Sequence, residues 1–242
     1  MMGHSHALTG AGLWLLAAPA LAVVPEIGGP AAGLAPVVYG MLSPAELVAG
    51  AVVCAGAAML PDLDHPHSTI AQTFGPATWV LSKVVNWLSG GHRHMTHSLF
   101  FVVAAGVGAH LLADHYPIGR DIMVVLLIGL ALRAVGIGVP QRTIMSAMVN
   151  IGLTAGTFLF FHSRGVGYMW LGLAVAVGCL AHVVGDCLTE RGCPVLWPLK
   201  HKWLLPWNMG LKTGRRFEVK ILGPVLSVVV VGLLAARLIP VM

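Results

Sequence analysis

Many of the twelve histidines and nine acidic residues in this 242-residue chain fall in a few short motifs. The first motif, PDLDHPHS at 61–68, offers four candidate metal ligands: Asp62, Asp64, His65 and His67. Carboxylates and imidazoles are the usual protein ligands of zinc, manganese and iron. The alternative is a polar loop in which the aspartates accept turn hydrogen bonds. Because a carboxylate at the C-terminal end of a helix opposes the helix dipole, the motif favours a bound cation.

Two later motifs carry further ligand types. GHRHMTHSLF at 91–100 contains His92, Arg93, His94 and His97, and HVVGDCLTE at 182–190 contains His182, Asp186 and Glu190. His182 and Asp186 are four residues apart, so they share one face of an α-helix. An ionisable pair inside an apolar helix points to function, although a buried hydrogen bond is the simpler alternative. The histidine-rich motif is either a solvated loop or a ligand source, in which Thr96 or Ser98 caps the next helix or orients a ligand. Glu190 is a candidate general acid or base.

The composition places these motifs in a membrane protein. Hydrophobic residues make up 57% of the chain and charged residues only 10%, whereas a soluble domain carries about 25% charged residues. The net charge of +5 is therefore interpreted as a topology signal, and no specific nucleic-acid partner is expected. Cys187 and Cys193 fit no common zinc spacing, and the cysteines do not require an oxidising compartment.

Apolar runs of spanning length predict an all-α, polytopic membrane bundle of about seven helices, with six to eight as the range. The predicted spans are 8–24, 44–60, 97–114, 121–139, 143–161, 166–186 and 220–241, in a single membrane-embedded domain, 1–242. The segment 25–43 is a candidate re-entrant stretch, and WVLSKVVNWL at 79–88 is an amphipathic candidate for the membrane interface. The first run ends in APALA, like a secretory cleavage site, but residues 1–7 lack the usual basic residues.

With seven helices, the basic residues divide unequally between the two sides of the membrane. One side receives Lys83, Arg93, Arg142, Arg191, Lys200, Lys202, Lys212, Arg215, Arg216 and Lys220, and the other only Arg120 and Arg164. This bias predicts that the first side, with the N-terminus, is cytoplasmic. The three motifs fall at helix ends on that side. His4 and His6 lie there too, as either a polar tail or a further ligand source.

The order of these motifs resembles the YdjM-like family of inner-membrane metal-dependent hydrolases. The resemblance rests on the N-terminal histidine, LPDLDHP, HRHMTHS and HVVGDCLTERGCPVLWP, and it runs from about residue 4 to about residue 203. The family is similar in its His/Asp pattern to zinc-dependent phospholipase C and related nucleases, where an H-x-x-x-D pair holds metal. The resemblance implies one or two divalent ions, zinc first and manganese or iron as alternatives. It implies ligands among His6, Asp62, Asp64, His65, His92, His97, His182 and Asp186.

The expected activity is hydrolysis of a phosphoester by a metal-activated water, with a lipid-like, phosphate-containing substrate at the cytoplasmic face of the inner membrane. Asp64 or Glu190 is the expected general base, and Arg93 is expected to neutralise the developing phosphoryl charge. Membrane lipids are the expected partners. Two other functions stay open: a divalent-metal or proton-coupled transporter, and a non-catalytic membrane protein with a structural metal site.

Overall fold

The fold, seen in a computed structural model, is a helical bundle, which confirms the predicted fold class. The structure describes residues 1–18, 23–25, 36–38, 42–68, 70–139, 143–199, 202 and 210–239. Its α-helices are α1 (Gly3–Ala17), α2 (Pro44–Ala57), α3 (Pro76–Ser89), α4 (Leu99–His115), α5 (Pro117–Ala134), α6 (Ile144–Ser163), α7 (Leu171–Cys187) and α8 (Gly223–Leu238). Between α1 and α2, the short strands β1 (Val23–Pro25) and β2 (Pro36–Val38) pair antiparallel. Residues 26–35 and 39–41 of the predicted re-entrant segment lie outside the described residues.

Most predicted spans match a helix, with shifted ends. The first helix begins at Gly3 rather than at residue 8. The prediction started at the hydrophobic run and so left out the polar first turn. The fourth predicted span, 121–139, begins earlier as α5, where a proline occupies the first helical position. It ends at Ala134, shortly before Gly136, which has a φ of 85°. A π-helical turn over Glu218–Leu222 leads into α8.

Three helical stretches in the described part of the chain are long and apolar enough to cross a membrane: Pro44–Asp64, Ile144–Ser163 and Glu218–Leu238. The helices Leu99–His115 and Leu171–Cys187 are apolar but shorter. The first stretch is mostly buried inside the bundle, whereas the other two expose most of their apolar side chains. Such exposure is expected of helices that face lipid. The count of seven spans stays a prediction.

The helix α2 forms the centre of the bundle and packs against α1, α5 and α7. Glycines allow this close approach. A Cβ atom added at Gly10 of α1 would lie 2.8 Å from the carbonyl oxygen of Cys54, and one at Gly178 of α7 would lie 2.5 Å from the same atom. Both distances are shorter than a nonbonded contact permits, so neither position accepts a larger side chain without backbone movement. These glycines therefore let α1 and α7 pack closely against α2, and all three helices end or begin at the site.

The helix α3 has its polar side chains inside and its apolar side chains outside. Thr78, Ser82 and Ser89 are buried, whereas Trp87 is 78% exposed and Leu88 is 59% exposed. A soluble protein would bury the apolar face. The predicted amphipathic stretch at 79–88 is therefore helical, and its outward apolar face is the arrangement expected of a helix at a membrane surface.

Candidate metal centre

The three predicted motifs and the N-terminal histidine meet at one end of the bundle. His6 lies in α1 near its start, and Asp62 lies in a 3₁₀ turn (Pro61–Asp64) that follows α2. His97 ends another 3₁₀ turn just before α4, and His182 and Asp186 lie near the end of α7. Antiparallel helices bring the starts of α1 and α4 to the ends of α2 and α7. The motifs are thus neighbours in space, as the predicted topology required.

Four side-chain atoms surround a common point in this cluster. The Nε2 atoms of His97 and His182 lie 3.2 Å apart. Each lies 3.7 Å from Oδ1 of Asp62, and their distances to Oδ2 of Asp186 are 3.7 Å and 3.9 Å. Ligand atoms about 2.0–2.1 Å from a tetrahedral zinc lie about 3.4 Å from one another. The four atoms therefore have nearly the mutual spacing of a zinc ligand set.

His6 adds a fifth candidate ligand. Its ring stacks on that of His182 with 3.9 Å between centroids, and its Nε2 lies 3.3 Å from Oδ1 of Asp186. Both ring nitrogens of His6 are buried and make no aligned hydrogen bond among the described residues. Buried polar atoms without partners are rare because desolvation is unfavourable. A cation bound between these residues would engage a ring nitrogen of His6, so the donor set fits a divalent metal.

Neighbouring groups orient the two histidine rings. Nδ1 of His182 lies 2.7 Å from the carbonyl oxygen of Ala58 and donates to it, which leaves Nε2 as a lone-pair donor toward the cluster. Nδ1 of His97 lies 3.1 Å from the hydroxyl of Thr96, and that hydroxyl donates to Oδ2 of Asp64 at 2.6 Å. Both rings therefore present Nε2 to the same point.

Asp64 is fully buried and fully hydrogen-bonded. Its Oδ1 accepts from Nδ1 of His92 at 2.6 Å, and its Oδ2 accepts from the backbone N–H of Arg93 at 3.0 Å as well as from Thr96. Nδ1 of His97 lies 3.4 Å from the same oxygen. Asp64 therefore supports His92 and His97 from behind, a position that suits an orienting carboxylate better than a proton acceptor.

The two aspartates control the charge of His97. Burial alone would lower its pKa, but hydrogen bonds and charge from Asp62 and Asp64 outweigh burial and raise the pKa to about 9. In the metal-free protein His97 is consequently protonated near neutral pH. A metal ion would replace that proton, since a ligating imidazole must be unprotonated.

Arg93 links the cluster to the loop after α7. Its Nη2 lies 2.8 Å from Oδ2 of Asp186, and its Nη1 donates to the carbonyl oxygen of Gly192 at 3.0 Å. Its Nε is buried without a hydrogen-bond partner in the described part of the chain. Arg93 is also the one non-glycine residue with a positive φ, 62°, among those described. Unusual backbone of this kind is concentrated at functional sites.

Two predicted residues lie at the edge of the cluster. His65 is exposed and stacks on His92, with 4.8 Å between ring centroids. Partial loss of hydration beside the neighbouring ring, followed by the charge of His92, lowers the pKa of His65. His92 itself is 32% exposed, and Asp62, His92 and His97 form a second group with metal-ligand spacing. The open side of the site therefore carries His65 and His92.

Glu190 lies away from the other predicted residues. It is 42% exposed, and its carboxylate lies 3.5 Å from Nζ of Lys212. The backbone N–H of Glu190 donates to the carbonyl oxygen of Leu211. The described residues give it no contact with the cluster, so its role as acid or base stays a prediction. Arg142 and Lys200, which contributed to the charge count, lie outside the described residues.

Sequence reasoning missed the backbone groups of the site. The carbonyl oxygens of Ala58 and Gly192 orient His182 and Arg93, but a carbonyl has no residue-specific signal. The sequence offered Thr96 and Ser98 as either a helix cap or an orienting group, and the structure gives each residue one of these roles. The Ser98 hydroxyl caps α4 by accepting from the backbone N–H of Phe101, whereas the Thr96 hydroxyl donates to Asp64. The α-amino group of Met1 also lies 2.9 Å from Oδ1 of Asp186.

Comparison with known proteins supports the resemblance. The family described as "YdjM inner membrane protein" matches residues 1–239. The chain is 26% identical over 148 residues to the inner membrane protein YdjM of Escherichia coli (strain K12), and equally to that of Shigella flexneri. The alignment covers 61% of this chain and 48% of each relative, so the chain spans about half the length of the curated relatives that it matches. No solved structure matches. Because the family match covers nearly the whole chain, this protein belongs to the YdjM family of inner-membrane proteins.

Proposed function

We propose that the protein is a membrane-embedded, metal-dependent hydrolase that cleaves a phosphoester of a lipid-like substrate. The observation that carries the proposal is the convergence of side-chain atoms from His97, His182, Asp62 and Asp186 on one point. The measured distances between the histidine nitrogens and the carboxylate oxygens of this set, and between the two nitrogens, are 3.2–3.9 Å. The buried ring of His6 lies beside them, and its nitrogens make no aligned hydrogen bond among the described residues. Arg93 and the Met1 amino group pair with the Asp186 carboxylate, whereas the buried nitrogens of His6 have no such compensation, and a bound cation would supply it.

The ligand set consists of His97, His182, Asp62 and Asp186, with His6 as a fifth donor. Zinc suits these nitrogen and oxygen atoms, and manganese or iron are alternatives. A divalent metal bound there would lower the pKa of water to about 7 and so supply hydroxide near neutral pH. Asp62 is 25% exposed, unlike the fully buried His182, so the site is open on one side. An open side favours a catalytic rather than a structural metal site.

The remaining side chains position the site and bind the substrate. Asp64 holds His92 and His97 in place. Arg93 holds Asp186, and a phosphoryl oxygen would provide the missing acceptor for its buried Nε. His65 and His92 lie at the open side, where they can contact the leaving group. Glu190, which has no described contact with the cluster, remains a candidate acid or base.

A lipid-like substrate is favoured by the helix α3. The Asn86 amide donates to the carbonyl oxygen of Asp64 at 2.5 Å, so α3 is attached to the metal-binding turn through its polar face. Its opposite face exposes apolar side chains, including Trp87. If that face lies in the headgroup region, the cluster is within reach of lipid phosphates. A location at helix ends also argues against a transporter, whose sites lie near the bilayer midplane.

Metal analysis of purified protein tests the proposal, paired with hydrolysis of phosphodiesters and phospholipids. His182→Ala and Asp62→Ala should each abolish stoichiometric metal and activity. The matched control is His110→Ala, because His110 and Asp114 form an i,i+4 pair, 3.3 Å apart, in a different part of α4. That variant should retain metal and activity. Full metal retention in both site variants would contradict the site. Retention of metal without hydrolysis of any substrate would leave a structural site as the better explanation, and metal uptake into proteoliposomes would favour a transporter.

A further inference from the structure

Two cysteines lie in contact at the end of α7. The sulfur atoms of Cys187 and Cys193 are 2.9 Å apart, which is closer than two unbonded sulfurs normally approach. Cys193 is fully buried, and its thiol also lies 3.3 Å from the carbonyl oxygen of Val183. Cys187 is partly exposed. The pair therefore has one solvent-accessible thiol and one buried thiol already held against it.

We propose that Cys187 and Cys193 form a redox-active dithiol site that a low-molecular-weight disulfide oxidises to an intramolecular disulfide. The proposal rests on the sulfur geometry alone and does not depend on the hydrolase function. A disulfide bond requires sulfurs about 2.05 Å apart, so bond formation needs a movement of less than about 1 Å along the existing contact.

The reaction proceeds by two thiol–disulfide exchanges. The exposed Cys187, as thiolate, attacks one sulfur of the reagent disulfide and releases the first reagent thiolate, giving a mixed disulfide. Cys193 loses its proton to solvent, attacks the Cys187 sulfur and releases the second reagent thiolate, and both reagent thiolates take up a proton from solvent. The two cysteines lose two electrons and two protons in total, and the reagent disulfide gains them as two thiols.

The bond would form next to the candidate metal centre. Cys187 follows Asp186 directly, and Cys193 follows Gly192, whose carbonyl oxygen accepts from Arg93. Arg93 in turn lies 2.8 Å from Asp186. The cysteine pair therefore lies between the end of α7 and the following loop, the same two segments that Arg93 bridges. A disulfide would add a covalent link to the polar contacts of Arg93.

Thiol mapping of the purified full-length protein tests the proposal. The protein is equilibrated with mixtures of reduced and oxidised glutathione, quenched with acid, alkylated under denaturing conditions, digested and mapped by mass spectrometry. Cys187 and Cys193 should lose alkylation together and appear as one cross-linked product, 2 Da lighter than the dithiol. Cys54 and Cys179, which are buried in the bundle, should stay alkylated. This measurement on the wild-type protein tests the proposal even if a variant fails to fold.

Three variants separate the steps. Cys193→Ser should trap glutathione on Cys187, because the second exchange has no nucleophile. Cys187→Ser should leave Cys193 reduced, because a buried thiol cannot meet the reagent. The double variant Cys54→Ala with Cys179→Ala is the matched control and should form the bond as the wild type does. A dithiol that stays reduced in excess oxidised glutathione would overturn the proposal, as would a glutathione adduct that persists on Cys187 of the wild type.

Discussion

Asp62 and Asp64 lie in the same 3₁₀ turn, two residues apart, yet their surroundings differ. Asp62 is partly exposed and directs Oδ1 to His97 and His182, whereas Asp64 is buried and bonded to His92, Arg93 and Thr96. A carboxylate behind a ligating histidine fixes the ring and raises its basicity. We therefore assign Asp62 to the metal and Asp64 to the support of His97.

Replacement of Asp64 by asparagine tests this division. Asp64→Asn keeps the shape of the side chain but removes its charge and places an amide donor where an acceptor is needed. Metal affinity should fall about 10–100-fold, the range usual for the loss of such an orienting group. Competition with a chelator of known affinity measures the change. Asp121→Asn is the matched control, because Asp121 pairs with Arg120 outside the cluster. An affinity equal to that of the wild type would show that Asp64 does not support the site.

Proton release on metal binding tests the state of His97. Its pKa of about 9 in the folded protein is above the ordinary value of 6.5. Protonation of His97 therefore stabilises the metal-free fold below about pH 6.5, and that stabilisation is lost as the pH rises through 9. Metal affinity should change in the opposite sense and increase through the same window.

Calorimetric zinc titrations near pH 7.5, in buffers with different ionisation enthalpies, measure this linkage. The dependence on buffer enthalpy should correspond to about one proton released from His97 per zinc. Heats that do not vary with the buffer would contradict the assignment of His97 as a protonated ligand.

At the scale of the helices, the site depends on how closely α1 and α7 approach α2. Gly10 and Gly178 both face the carbonyl oxygen of Cys54, and this approach brings His6 and His182 into ring contact. The obstacle at each glycine is backbone rather than a flexible side chain. Added volume must therefore separate the helices, which would also separate the ligands that they carry.

Gly178→Ala should destabilise the protein and weaken metal binding together. Overpacking of this kind typically costs about 1–3 kcal/mol, which lowers the Tm by about 2–4 °C per kcal/mol in a chain of this size. Gly152→Ala on α6 is the control, because a Cβ added there meets nothing within 4 Å. That change should be neutral or stabilising, since alanine favours helix. Thermal unfolding in detergent, with and without zinc, compares the two. A Gly178→Ala protein with unchanged Tm and metal content would refute the packing argument.

The sequence predicted those parts of the site that a single helix determines. His182 and Asp186 share a face because the α-helical repeat fixes their relative position. Each of the other motifs lies next to a helix end, and the hydropathy pattern had located those ends. The stacking of His6 on His182 could not be predicted, because it depends on two glycine contacts between distant segments. The separate roles of Asp62 and Asp64 were also hidden, since the 3₁₀ turn that directs them apart leaves no periodic pattern in four residues.

At the scale of the whole molecule, the distribution of charge predicts the orientation in the membrane. The candidate metal centre and the basic loop with Lys212 lie at the same end of the bundle, because Leu211 pairs with Leu188 and Glu190 just after α7. Arg164 lies at the C-terminal end of α6. The opposite end of α6 contacts the segment near the site, where Asn150 donates to the carbonyl oxygen of Thr73. Lys212 and Arg164 therefore mark opposite ends of the bundle, which the charge bias predicts to lie on opposite faces of the membrane.

Cysteine labelling of these markers tests the predicted orientation. Lys212→Cys and Arg164→Cys both replace exposed side chains, so either should react freely once its face is accessible. In spheroplasts, a membrane-impermeant maleimide should label Arg164→Cys at once and Lys212→Cys only after the inner membrane is broken, because basic segments are retained in the cytoplasm. The wild-type chain measures background labelling of its own cysteines, and broken membranes show that both markers can react. Immediate labelling of Lys212→Cys, with Arg164→Cys protected, would place the site on the periplasmic side and remove cytoplasmic-leaflet lipids as its substrates.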